Sequence, residues 1–254
     1  MIRFFRNIRK KLATENKVLG YLRYAIGEIV LVVIGILIAL QVNNWNEQRK
    51  LNTERKELVK SLISDFKETR EIIAVRQANN AEAIQRTSHF LSLSYSNNDK
   101  VSVDSLQYYL SGAFSYPFFV PVLTSYEQAV ATGKIGLIKD KKFLKDISEF
   151  LTAYNFYNQQ TDIGGRMFYM GSIWELRKEV GNLASLAGNY RGGERESFPQ
   201  AYKFSDNEYR TFIRKPEVFA AIDNMRTIFY NVQSSFINMD KQAKTIIIDL
   251  EQLE

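Results

Sequence analysis

Between Ile29 and Leu40 no polar side chain interrupts the chain, and the apolar stretch extends from Tyr24 to Val42. Nineteen residues rising about 1.5 Å each give a helix of roughly 28 Å, close to the hydrocarbon thickness of a bilayer. Tyr21 and Tyr24 stand at one end and Trp45 at the other, where amphipathic rings favour the interface. The exit, Ala39-Leu40-Gln41-Val42-Asn43, has no small-x-small cleavage pattern, so the reading is an uncleaved anchor rather than a signal peptide.

Beyond Trp45 the pattern changes. From Asn46 to about Leu91 the chain is rich in charge and contains neither proline nor glycine. Leu51, Leu58, Leu62, Phe66, Ile73 and Ile84 fall at helical separations, which predicts a helix continuing out of the membrane for about 65–70 Å. Ser94 to Lys100 is a turn-forming cluster that ends it. A shorter helix is expected near Val103 to Gly112, with Ser102 as its N-cap. Thr124 with Glu127, and Ser205 with Glu208, read as capping boxes opening two further helices, to about Thr132 and to a point before Pro216. Phe143, Leu144, Ile147, Phe150, Leu151, Tyr154 and Tyr157 mark an amphipathic helix, with a kink expected at Gly164-Gly165 before a segment from Met167 to Val180. Residues 181–204 read as a long loop.

The last segment has the clearest period. Ile222, Phe229, Phe236, Ala243 and Leu250 recur every seven residues, as do Met225, Val232, Met239, Ile246 and Leu253. These are the a and d positions of a coiled-coil seam, packed either on the long helix of the same chain or on copies of itself. No stretch alternates as a strand does. The expected fold is all-α, a single N-terminal transmembrane helix continuing into the long helix of an extramembrane antiparallel bundle, with residues 1–23 as a tail, 24–42 as the span and 43–254 as the outer domain.

Charge locates the two sides. Residues 1–23 hold seven basic groups and one acid, which is the whole net charge of +6, and the remaining residues balance at 27 of each sign. A neutral outer domain argues against nucleic acid as a partner. The basic flank places the N-terminus in the cytoplasm and the outer domain across the membrane. Ile2, Phe5, Ile8 and Leu12 recur at helical spacing opposite Arg3, Arg6, Arg9, Lys10 and Lys11, the pattern of an interfacial helix on anionic lipid, or of a docking site for a cytoplasmic partner.

Glu28 lies about one turn inside the apolar segment, where an ionised carboxylate is costly. Three roles stand open: an interfacial carboxylate near Arg23; a member of a helix–helix seam with Gly35 and Val42 every seven residues and Val32 and Ala39 between; or a proton- or ion-coupling group. Gly35 and Ala39 also form a small-xxx-small pair that permits close backbone approach.

The run from Tyr24 to Gln41 followed by Asn43-Asn44-Trp45-Asn46, with Phe4-Phe5-Arg6-Asn7-Ile8-Arg9 before it, resembles the N-terminal signature of an uncharacterised membrane-protein family of flavobacteria and related Bacteroidota. Thr124-Ser125-Tyr126-Glu127 and the block from Thr132 to Asp140 are similar to its second recognisable region. The resemblance implies a bacterial inner-membrane address with a periplasmic domain, and supplies no activity.

The chemistry available is narrow. There is no cysteine and one histidine, His89, near the end of the long helix, which argues against a zinc site and excludes a thiolate nucleophile. Asp65 with Glu68 and Asp146 with Glu149 are i,i+3 acid pairs of the kind common on helical surfaces. No phosphate loop, dinucleotide fingerprint or calcium loop occurs, and no cofactor is expected. The segment Pro117-Phe118-Phe119-Val120-Pro121 is an apolar loop that either plugs the bundle or contacts a partner, with Pro117, Phe118, Phe119 and Pro121 as its candidate residues. The expectation is a non-enzymatic scaffold or accessory subunit that binds a protein partner or a second copy; the alternatives are a periplasmic small-molecule sensor and a coupled membrane subunit acting through Glu28.

Overall fold

No glycine or proline occurs between Gly35 and Gly112, so no helix breaker of that kind stands before the turn-forming cluster at Ser94 to Lys100. In a computed structural model a single helix, α1, accordingly runs Val18–Ser94. It ends where serines take over the last carbonyls: Ser94 Oγ donates to Leu91 O at 3.3 Å and Ser96 Oγ to Leu93 O at 2.8 Å. The structure describes residues 18–96, 100–180 and 205–253, with the backbone alone at 18–21, 23 and 180. The expected tail helix, with Arg3, Arg6, Arg9, Lys10 and Lys11, and the expected loop 181–204 lie outside the described residues.

The chain forms two units that divide within α1, Met1–Glu57 and Leu58–Glu254. The described part of the first is helix alone. In the second, α2 (Val103–Leu110) is capped by Ser102, whose hydroxyl accepts from Ser105 N at 3.1 Å, as its sequence predicts. A 3-10 turn at Ser111–Phe114 follows, then an extended segment, α3 (Thr124–Ala131) and a second 3-10 turn at Lys134–Leu137. Gly133, at φ 72°, takes the left-handed position that ends α3. Next come α4 (Lys141–Met170), α5 (Ser172–Val180), α6 (Asp206–Ile213) and α7 (Pro216–Glu251). All regular structure among the described residues is helical.

Two sequence expectations are corrected. Thr124 does not cap α3: the N-cap is Leu123, which has no side chain able to do so. Asp65 of α1 supplies the missing acceptor, taking Ser125 N at 2.7 Å and placing a carboxylate at the positive end of the helix. Nor does a new segment begin at Met167, since α4 runs on through Gly164-Gly165. It continues to Met170 and breaks at Gly171. Gly164 is needed for contact instead, since a Cβ there would lie 3.2 Å from Ile228 Cγ2 of α7. The Ser205–Glu208 capping box is present in full.

The second unit is a four-column bundle. Along α4 and α7, Lys142 meets Asp249, Glu149 meets Gln242 and Gln160 meets Asn231, so one helix advances from 142 to 160 while the other falls from 249 to 231. α7 also runs antiparallel to α1, from Asn80 against the Phe229 carbonyl (2.9 Å) to Lys67 against Glu251 (3.1 Å). The remaining column descends α1 in pieces: Arg86 reaches Ser111, Thr69 and Val122 exchange hydrogen bonds at 2.9 and 3.1 Å, and Asp65 caps α3.

The heptads of α7 point into this core. Nine of the ten predicted positions are closed to solvent and Leu253 is partly buried, so the chain's own helices cover the seam. One hydrophobic cluster gathers Leu62, Phe66, Phe119, Phe143, Phe150 and Phe236, and a second gathers Phe90, Leu106, Ile173, Tyr209, Met225 and Phe229. Met167 packs against both.

Candidate functional site

In the first unit, Ile26 to Val42 present a helix on which every large apolar side chain is about half exposed or more. It is the one helix among the described residues long and apolar enough to cross a membrane. Glu28, Gly35 and Val42 share one face, since a straight helix drifts only about 20° per heptad. Gly35 has no heavy atom within 4 Å of where its Cβ would stand, Ala39 is exposed, and Glu28 is half-buried.

The proline segment of the second unit alternates. Phe119 and Pro121 turn into the core, where the Phe119 ring meets Tyr157 and Phe236 at 5.7 and 5.6 Å. Phe118 and Val120 turn out, 62% and 54% exposed, and Pro117 is half-buried. Two tyrosines fasten the segment to α4: Tyr157 Oη donates to Pro117 O at 3.0 Å and Tyr116 Oη to Thr161 O at 3.2 Å. Burial first, then neighbouring tyrosines, holds the Tyr157 hydroxyl far above the ordinary phenol range, so it remains a donor. Of the four residues named from sequence here, only Phe118 is fully presented to solvent.

A cavity of about 420 Å³ lies between α1 and this segment, lined by Arg76, Asn79, Asn80, Glu82 and Arg86 on one side and by residues 111 and 114–118 on the other, with Phe229 as its floor. Its cause is visible in α1. Val59, Phe66, Ile73, Asn80 and Thr87 recur every seven residues, as do Leu62, Thr69, Arg76, Ala83 and Phe90, and all are buried except Arg76. Thr69 and Thr87 bond to carbonyls within the seam, whereas Arg76 and Asn80 interrupt it with longer polar side chains, opposite the point where the facing column leaves its helical turn at Ser115. Neither side fills the gap. Asn80 is 4% exposed; its Nδ2 donates to Phe229 O and to Gln233 Oε1 at 2.8 Å, and its Oδ1 accepts from none of the described residues. Arg86 is held by Glu82 (2.5 Å), by Ser111 (3.3 Å) and over the Tyr108 ring (4.3 Å), with Nε unpartnered. Arg76 makes no hydrogen bond or ion pair among the described residues. None of the residues singled out from sequence as a contact or coupling site lines it except Pro117 and Phe118. The amino-acid order does carry its signal, an arginine and an asparagine in the register of a core stripe.

Asp146 and Asp249 form a second polar cluster, buried between α4 and α7 with Lys142 on Asp249. Desolvation first, then a hydrogen bond with Asp249 and its charge, raises the Asp146 carboxyl above the ordinary aspartate range. Asp65, from the other acid pair singled out in the sequence, caps α3. His89 stays on the surface, its Nδ1–H donating to Gln85 O at 2.8 Å and its ring stacked 5.3 Å from Tyr109. No group of three or more His, Asp or Glu side chains among the described residues could hold a metal ion.

Comparison with curated proteins and with solved structures gives no match. A family model does match, over residues 28–188, from Glu28 through the cavity to a point short of α6 and α7. More than half of the chain is covered, and the protein therefore belongs to the family of unknown function DUF6090.

Proposed function

We propose that this chain is a single-pass inner-membrane protein that holds a partner protein, as a scaffold or accessory subunit without catalytic activity. Its basic N-terminus would lie in the cytoplasm, against anionic lipid, and the domain of residues 43–254 in the periplasm. The observation that carries the partner reading is the ridge at Phe118 and Val120. Large apolar side chains are exposed there on a backbone fastened from within by Phe119, Pro121 and Tyr157, so the ridge loses little entropy when covered. The exposed apolar helix of the first unit supports the membrane reading.

Two experiments test this. The chain has no cysteine, so Gln252→Cys is a clean reporter. A membrane-impermeant thiol reagent should label it in intact spheroplasts; labelling only after lysis would reverse the topology. A photocrosslinking amino acid at Phe118, in the full chain in its membrane, should give one discrete adduct that the same group at Ile248 does not. An adduct of twice the chain's mass would make the partner a second copy. No adduct from Phe118, or the same products from both positions, would sink the partner reading.

A further inference from the structure

The cavity beside Asn80 is more than a packing defect. Bundle cores close by placing apolar side chains at successive heptad positions, and a gap of this size would ordinarily be filled by a larger apolar residue at 76 or 80. The chain instead carries an arginine and an asparagine there. The walls have a definite chemistry. Arg76 and Arg86 stand ten residues apart on α1, about 15 Å along the helix axis, and so bracket the cavity. Glu82 is the sole carboxylate of the lining and is already bound to Arg86. The surplus charge is therefore positive, and it resides on Arg76. The same lining carries the amide groups of Asn79 and Asn80, the hydroxyl groups of Ser111 and Ser115, and the Phe229 ring.

We infer that this cavity is a binding site for a small hydroxylated organic anion. The anionic group would pair with the Arg76 guanidinium, whose planar fork suits carboxylate and phosphate oxygens alike. The hydroxyl groups would meet the amide and serine lining, and a small movement would let the Asn80 Oδ1 accept from one of them. The volume lies within the range of small-molecule sites. The assignment goes beyond partner binding and does not depend on it.

The test is isothermal titration of the full chain in detergent micelles with three matched probes: gluconate, glucose 6-phosphate and neutral glucose. At least one anion should bind at about millimolar affinity or tighter and glucose should not, the better anion naming the head group as carboxylate or phosphate. Arg76→Gln should weaken that binding at least roughly tenfold, with Arg76→Lys intermediate, because a charge-assisted contact is lost in the first and reduced in the second. Arg76 is exposed and unpaired among the described residues, so the variants should melt with wild type. Absence of heat from both anions at about 10 mM, equal binding of glucose, or unchanged affinity in Arg76→Gln would each overturn the assignment.

Discussion

Asp146 and Asp249 face one another inside the bundle, with Lys142 bound to Asp249 and Glu149 one turn along α4. Because the Asp146 carboxyl is raised, the native state keeps a proton that the unfolded chain has already lost. Stability from this group is therefore present in acid and declines as pH rises above the ordinary aspartate range. Asp146→Asn retains a donor toward Asp249 and cannot ionise. Its melting temperature should exceed that of wild type at about pH 7, and the two should converge near pH 3.5. A difference that is the same at both pH values would mean that no proton is shared. Gly112 is constrained by space rather than charge: a Cβ there would stand 2.6 Å from Arg86 Cβ and 3.2 Å from the Ala83 carbonyl. Gly112→Ala should cost about 1–3 kcal/mol in denaturant unfolding, whereas Gly136→Ala, with no heavy atom within 4 Å, should change stability by under about 0.5 kcal/mol.

At the scale of elements, α7 is where side-chain order and packing agree most closely. Phe236 is closed to solvent between Phe119 and Tyr157, and its neighbour Ile237 is 52% exposed. Phe236→Ala should destabilise the domain by about 3–5 kcal/mol and Ile237→Ala by a small fraction of that, read from the shift in denaturation midpoint. The two predicted capping boxes separate local from non-local control. At Ser205 and Glu208 both halves of the box form within four consecutive residues, and Ser205→Ala should cost about 1 kcal/mol. At Thr124 the same spacing is present, but Asp65 takes the Ser125 amide. The box fails because α3 starts one residue early: the Leu123 carbonyl takes the Glu127 amide at 2.9 Å, and the Ser125 amide, left without an N-cap side chain, finds a carboxylate sixty residues away in the chain.

For the molecule as a whole, the family match ends at residue 188, before α6 and α7. Those two helices supply Tyr209, Ile222, Phe229, Phe236, Ile246 and Leu250 to the two hydrophobic clusters. A chain cut after residue 188 should lose cooperative thermal unfolding, measured by circular dichroism in detergent, and bind a dye for exposed apolar surface. A sharp transition in that fragment would show that the matched region folds alone. The apolar span, the long helix without a breaker, most helix starts and the heptads of α7 were legible in the amino-acid order, because each depends on side-chain character within a turn or two. The cavity, the Asp65 cap, the Asp146–Asp249 pair and the duty of Gly164 were not. Each is made by groups 60 or more residues apart, or by a space that appears only when Arg76 and Asn80 meet a column that has stopped being helical. The sequence by itself determined which segments are helical and which faces are apolar, through local spacing; the tertiary structure alone decided which polar groups are brought face to face and where the core stays open, because both depend on how separate helices register against one another.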